Sequence, residues 1–367
     1  MADTDEGESA GMHKMKHEGK VNPRDLRTGA VRAGQCAVAV GLIAAATVAT
    51  WPEGAAAQSV QSPQSVLQDL RSRPIRLVVA AAAGGGSDIT ARHVARTMGE
   101  QMRHSVLVEN RPGAGSATGT EYAAKATPDG HTLLVSTGSS MVMNGFLYKN
   151  LPYDALRDFA AVGFIAAYPF VLIARNDLPA NNLAEFMKFA RERPGKLNYG
   201  SAGVGTLQHV WGTILLKGMG LDLLHVPYKG AAMATQEMIG GRIEVMFDNL
   251  SAARGPIAAG RVKALAVSSA QRAPQLPNVP TVNESGVARF DGESWMGMFA
   301  PAATPPAVVN TLRSLFQDVV RDAQFVARIE AAGGRVMNIP PQQQQAFLRS
   351  ESERWGRLIR QYEVTAQ

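Results

Sequence analysis

The chain has 367 residues, 46% of them apolar, with a formal net charge of +6 and a single cysteine. That length suggests about two domains of ~100–200 residues, and the composition is globular, without a low-complexity tract. Beyond residue 57 there is no basic run and no aromatic-plus-arginine stripe. This argues against a nucleic-acid partner and leaves the positive balance as weak help for anionic ligands.

Lys14, Lys16, Lys20, Arg24, Arg27 and Arg32 lead into AGQCAVAVGLIAAATVAT (33–50), which carries no charge, and Ala55 and Ala57 form a small-residue cleavage pattern before Gln58. These are the parts of a secretory signal peptide over 1–57, and they imply an exported protein. The long basic approach points to a start at Met12 or Met15. An uncleaved anchor competes, because the run approaches the ~20 residues that span a bilayer. Its alanine content, its few leucines and the cleavage pattern favour removal. Cys36 falls inside this leader, ahead of most of the apolar run, where no lipid-attachment cysteine stands. The exported chain then has no cysteine, which excludes disulfides, thiolate catalysis and cysteine-ligated zinc.

Residues 58–71 read as a linker. From Arg73 strand and helix alternate, the signature of right-handed βαβ units and a parallel sheet. IRLVVA (75–80) is a strand, and Ala91, Val94, Ala95 and Met98 mark one face of a helix. SVLVEN (105–110) is a second strand, RPGAGSATG turns into a helix through Glu121–Lys125, and HTLLVST (131–137) is a third strand. Val162 to Ala174 is long for one strand and reads as a crossing between lobes. The alternation restarts with a helix from Leu183 to Arg193 and the strand LNYGSAG. A helix face follows at Leu207, Val210, Trp211 and Ile214, then LLHVPYKG, AAMATQEMIGG, IEVMFDNL, AARGPIAAG and VKALAVSS. Trp295 to Pro306 reads as a second crossing. Two helices close the chain, marked by Val308, Leu312, Leu315, Phe316 and Val319, and by Trp355, Leu358, Ile359 and Tyr362. The expected fold is therefore α/β with two lobes, 72–168 plus 297–367 and 169–296, and a cleft between them as the ligand site.

The corner after the first strand, AAAAGGGSDIT, has neither G-x-x-x-x-G-K-[ST] nor G-x-G-x-x-G, so it is not a nucleotide loop. Glycines let a backbone approach closely, and the helix behind them presents unpaired N–H groups with partial positive charge. Such an end binds an anion without an arginine. Ser87 or Asp88 could equally cap the helix of a plain turn. YGSAGVGTLQH repeats the design in the second half, with Ser201, Gly203, Gly205 and Thr206 ahead of a helix. Valine at Gly85 or Gly203 is expected to abolish binding. His209 lies on the face of Thr206, where the helix end disfavours a charged imidazole, so it is a neutral donor or a structural group. Asp248 ends a strand and is either a ligand acceptor or scaffold that caps the helix at Ser251 or pins the Tyr228-Lys229-Gly230 turn. Lys229 is solvated.

No catalytic set assembles. G-x-S-x-G is absent, His93, His104, His131, His209 and His225 lack metal spacing, and carboxylates do not pair at strand ends. Glycine, hydroxyls and helix ends bind anions and move protons poorly. An exported enzyme on an anionic substrate is the alternative in another class. A ligand-sensing module for a signalling partner cannot be separated from a transport receptor.

RPIRLVVAAAAGGGSDITAR, VLVENRPGAGS, ATPDGHTLLVST, LPYDALRDFAAVG, RPGKLNYGSAGVGTLQH, HVPYKGAAMATQEMIGGRIEVMFDNL, GRVKALAVSSAQRAPQLPNVPTVNESG and SWMGMFAPAATPPAVV closely resemble the Bug (TctC-type) family of periplasmic solute receptors of tripartite tricarboxylate transporters. The resemblance covers nearly the whole exported chain in order. It implies the two-lobed periplasmic binding protein fold, type II-like, in a monomer that closes on a small carboxylate or amino acid. No cofactor, metal or catalysis is implied, and membrane transporter subunits are the partner. It places the ligand at Ala83, Gly84, Gly85, Ser87 and Asp88, at Thr137 and Ser139, at Ser201, Gly203, Gly205 and Thr206, and at Asp248, and His209 joins these candidates only by its place on the helix face of Thr206. One departure stands out: Ala80-Ala81-Ala82 replaces the prolines and aromatic residue usual in the first loop. That change implies a roomier pocket or one that has lost its original ligand.

Overall fold

A computed structural model describes residues 62–286, 290 and 292–366. The leader, Cys36 and the cleavage pattern before Gln58 lie outside the described residues. The stretch expected as a linker carries a helix, α1 (Pro63–Leu70), started by Ser62, whose hydroxyl accepts from Ser65 N. Val66 and Leu70 are buried, and Leu70 shares with Val308 the space beside Gly130. Two apolar residues four apart were too few to register as a helix face.

The first lobe alternates β1 (Ile75–Val79), α2 (Gly86–Met102), β2 (Val106–Asn110), α3 (Ala117–Ala124) and β3 (Thr132–Thr137). The α2 residues Ala91, Val94, Ala95 and Met98 are all buried, as their spacing requires. A wide helical turn, Ser139–Met143, follows β3, then two short helices, α4 (Asn144–Leu147) and α5 (Ala155–Asp158). The three strands are parallel in the order β2-β1-β3. β1 is therefore central, and the end of β1 is the point where chain connections diverge to opposite sides, the usual ligand crevice of such sheets.

A single strand, β4 (Phe159–Arg175), joins the lobes. The second lobe comprises α6 (Leu183–Arg191), β5 (Asn198–Ser201), α7 (Leu207–Gly218), β6 (Leu224–Pro227), α8 (Ala231–Ile239), β7 (Val245–Asn249), α9 (Leu250–Ala258) and β8 (Val262–Val267). Its parallel strands run β6-β5-β7. The middle strand again ends in a glycine-rich corner, so the two lobes repeat one plan.

β4 pairs antiparallel with β9 (Glu293–Pro301) from Phe159 to Pro169, and with β7 and β8 from Phe170 onward. The changeover falls at Pro169, which has no N–H to donate. The next N–H, of Phe170, donates to the Ser268 hydroxyl at 2.8 Å. Ser268 also holds the return passage: its hydroxyl donates to Gly292 O at 2.7 Å, and Gly292 N donates to its carbonyl. The return therefore runs between β8 and β9 and precedes the stretch expected to cross, Trp295 to Pro306. β9 is apolar because it is a buried strand between β3 and β4, and such strands read as continuous apolar runs.

Three helices end the chain, α10 (Pro306–Arg321), α11 (Ala323–Ala331) and α12 (Pro341–Gln361), with the two-residue β10 (Arg335–Val336) beside β4. The additional helix, α11, buries only Phe325 and Ile329. α12 spans both lobes. Trp355 tilts against Trp211 of α7 with ring centroids 5.4 Å apart, and Lys217 Nζ donates to Tyr362 O at 2.8 Å.

Candidate functional site

Strand ends from both lobes surround a cavity of about 620 Å³. Among the sequence-predicted residues, Gly85, Ser87, Thr137, Ser139, Gly203 and Thr206 line it. Ala83, Gly84, Asp88, Ser201, Gly205, His209 and Asp248 do not reach its wall. Most of those behind the wall hold in place the ones in front.

In the first lobe Gly84 takes a left-handed φ of 78°, a conformation that suits glycine. Asp88, 4% exposed, turns back so that its Oδ2 accepts from Gly84 N at 2.9 Å and Arg92 Nε at 3.1 Å. Burial alone would raise this carboxyl. The hydrogen bonds from Arg92 and Gly84 outweigh it and hold the group below the ordinary value. Because Asp88 grips the corner, neither it nor Ser87 caps α2, and the helix starts at Gly85 without a side-chain cap. Of the orphan N–H groups of that first turn, those of Gly86 and Ser87 belong to residues that line the cavity.

The second lobe holds its corner from below. Thr206 caps α7, accepting from His209 N and donating to Gly203 O at 2.6 Å. Ser201 Oγ accepts from Gly203 N at 3.1 Å and lies 2.7 Å from His225 Nε2. Gly205 N donates to His209 Nδ1 at 3.2 Å, so that nitrogen is unprotonated and the imidazole is neutral. The rings of His209 and His225 stack at 4.2 Å, and Tyr199 stacks on His225 at 4.8 Å. Burial pushes His209 down to about 4. Burial, with His209 adding to it, pushes His225 to about 3. His209 is thus neutral through burial, and toward the backbone it is an acceptor and not the donor that was one of the two roles expected.

Asp248 is 1% exposed. Its Oδ1 accepts from Asn249 N at 2.8 Å and from Gln208 Nε2 at 3.5 Å. Burial pushes it up to about 7, against those hydrogen bonds. It does not cap the helix at Ser251. Asn249 does so, accepting from Ser251 N and Oγ, and Asn249 rather than Asp248 lines the cavity.

The sequence reading passed over a third corner. After β2, Gly113, Ala114, Gly115 and Ser116 all have positive φ, and Pro112 to Ser116 line the cavity. Left-handed Ala and Ser are costly and persist only where their surroundings enforce them. The enforcement is visible: Gly115 O accepts from Asn144 Nδ2 at 3.0 Å, with Ser139 Oγ 3.1 Å away, and Asn144 is held by Tyr153. RPGAGS, a third glycine-rich strand-to-helix corner, was the available signal. Tyr148, Phe170, Gln208 and Tyr228 were missed for another reason, since nothing in their local pattern distinguishes them from core or loop.

The lobes touch around the cavity. Ser139 Oγ lies 2.7 Å from Gly205 O, and Tyr148 OH donates to Val204 O at 3.3 Å. A Cβ added at Gly86 would come 2.7 Å from Ser251 Oγ, and one at Gly115 would come 2.8 Å from Gly205 Cα. Among the lining residues Lys229 is the one side-chain cation, and it is exposed. Among the described residues no group of three or more His, Cys, Asp or Glu is placed to hold a metal.

Two α/β lobes closed over an amide-lined cleft define a solute-binding receptor, and the comparisons agree. The chain belongs to the tripartite tricarboxylate transporter family of receptors, whose model matches residues 90–364. It is 38% identical over 296 residues, 80% of this chain and 88% of the relative, to a UPF0065 protein in the tcbD-tcbE intergenic region of Pseudomonas sp. strain P51. The structure of the periplasmic binding protein BugD superposes with a TM-score of 0.77 at 35% identity, covering 80% of this chain and 98% of that one. Rpa4515 of R. palustris, solved with adipate, does so with a TM-score of 0.77 at 30% identity, covering 80% and 98%. The protein is a solute-binding receptor of a periplasmic family and not an enzyme.

Proposed function

We propose that the cleft captures a small carboxylate or amino acid and delivers it, as a periplasmic monomer, to the membrane subunits of a tripartite tricarboxylate-type transporter. The observation that carries this is the uncapped start of α2 facing the capped start of α7 across one cavity, with no buried cation to neutralise a guest. Gly85, Ser87, Thr137, Ser139, Gly203 and Thr206 contact the ligand, while Asp88, Ser201, His209 and Asp248 set their positions. The adipate complex of the R. palustris relative supports a carboxylate. The lobes are taken to divide at Pro169 and between β8 and β9, and the leader as cleaved before Gln58.

Energetics allow it. Micromolar affinity needs about 8 kcal/mol. Hydrogen bonds to a charged group contribute roughly 1.5–3 kcal/mol each, and a partly buried helix end adds up to ~2 kcal/mol. Four or five such contacts reach that range after ordering costs. A calorimetric screen of ligand-stripped protein against mono-, di- and tricarboxylates and amino acids tests the reading. Heat from at least one carboxylate or amino acid is expected, and silence toward all of them would refute it.

A further inference from the structure

The cavity has a wall that none of the glycine corners supplies. Ala366, half-buried, lines it. The stretch matched by the family model stops at 364, two residues short of this wall.

The turn that carries the chain there is built into the end of α12. Glu363 takes a left-handed φ of 49°, and Val364 N donates back to Ile359 O at 3.0 Å. Such a reversal at a helix end usually uses glycine. A left-handed glutamate is costly and persists only where its surroundings enforce it. Two features do so. Val364 and Ile359 are buried in one apolar cluster, the pairing that commonly accompanies this turn. Lys217 Nζ of α7 donates to Tyr362 O at 2.8 Å, which fixes the residue before the turn to the second lobe.

The first lobe holds the same helix. A Cβ added at Gly356 would come 2.6 Å from Phe146 Cζ, and the Arg360 guanidinium stands over the Phe146 ring, 5.5 Å from its centroid. The segment after α12 therefore leaves a helix that both lobes grip, and it reaches the cavity they enclose.

We infer that the segment following α12 closes one side of the ligand cavity and that Ala366 stands beside the bound solute. This rests on the receptor reading and adds to it a binding residue outside the glycine corners. Lys229 is the lining residue that carries a full charge, and it is exposed. A charge placed at 366 therefore acts on an anionic guest with little to counter it.

The test is calorimetry at neutral pH on ligand-stripped protein and on two variants, Ala366→Asp and Ala366→Lys, with malate, adipate, citrate, glutamate and benzoate. The probe that binds the wild type most tightly should bind Ala366→Asp at least fivefold more weakly than Ala366→Lys. A loss of fold would weaken both variants alike, so the difference between them reads how close position 366 lies to the guest. Melting temperatures of the two variants give the folding check. Equal affinities, or tighter binding to Ala366→Asp, would overturn the inference and leave the receptor reading standing. Silence of the wild type toward all five probes would overturn both.

Discussion

Ser139 and Gly205 come from different lobes, 66 residues apart in the chain, and the Ser139 hydroxyl donates to the Gly205 carbonyl at 2.7 Å. The same hydroxyl lies 3.1 Å from Gly115 O. One side chain therefore sits against the strained corner of its own lobe and latches it to the loop of the other. A neutral hydrogen bond contributes about 1 kcal/mol net. Ser139→Ala should weaken ligand binding roughly fivefold, mainly through faster release, because the bond joins the two lobes across the mouth of the cavity. Stopped-flow dissociation rates check this, and an unchanged off-rate would remove the latch.

Gly115 offers a sharper perturbation. A Cβ there would meet the Gly205 backbone, which cannot rotate aside as a side chain can. Gly115→Ala should wedge the lobes apart, lowering affinity at least tenfold. Its left-handed φ of 58° adds a stability loss of roughly 1–2 kcal/mol. Small-angle scattering with saturating ligand should show a larger radius than the wild type, and an equal radius would contradict the wedge.

Asp88 holds its corner through Gly84 N and Arg92. Replacing it with alanine removes the acceptor of the exposed Gly84 N–H, which water can then replace, a loss of about 1 kcal/mol. Asp88→Ala should lower the melting temperature and weaken binding together, whereas a pure ligand contact would affect binding alone. Melting curves with and without ligand separate the two.

Buried ionisable groups under the second-lobe corner pull stability in opposite directions with pH. Asp248, raised from 3.8 to about 7, keeps a proton in the folded state that the unfolded chain releases, so stability falls as pH rises from about 4 to 7. His209 and His225, lowered from 6.5 to about 4 and about 3, stay neutral where the unfolded chain takes up protons. Their contribution is present above 6.5 and is lost as pH falls toward 4 and 3. Two histidines outweigh one carboxyl between pH 4 and 6.5, so the net change there is acid destabilisation. Asp248→Asn removes the counterweight. It should be more stable than wild type at pH 8, by on the order of a few kcal/mol, with the gap closing toward pH 4. Thermal melts across pH 4–8 give the comparison, and a gap that does not narrow would reject the assignment.

Gly85 and Gly203 show how far sequence reasoning reached. From the sequence, valine at either is expected to abolish binding while leaving the fold largely intact. Gly203, at a φ of 130° and with Tyr228 O 3.2 Å from an added Cβ, would strain the backbone with any side chain, so valine there disturbs the corner itself. Gly85 has an ordinary φ of −84° and room for a Cβ, with Ala82 O at 3.5 Å. The left-handed residue of that corner is its neighbour Gly84. A glycine run announces that a corner exists, but it does not say which glycine the backbone depends on.

By itself the sequence determined the alternation of strands and helices and the two glycine-hydroxyl corners. These rest on local periodicity and residue type, which neighbouring residues express whatever surrounds them. Tertiary structure decided which of those residues face the cavity, that RPGAGS joins them as a third wall, and that Ser139 reaches Gly205. Each of these depends on contacts between segments tens of residues apart, where packing of one lobe against the other selects the geometry. The same distinction explains β9. Its apolar run was visible, but only its place between β3 and β4 shows that the run marks a buried strand and that the return crossing lies just before it.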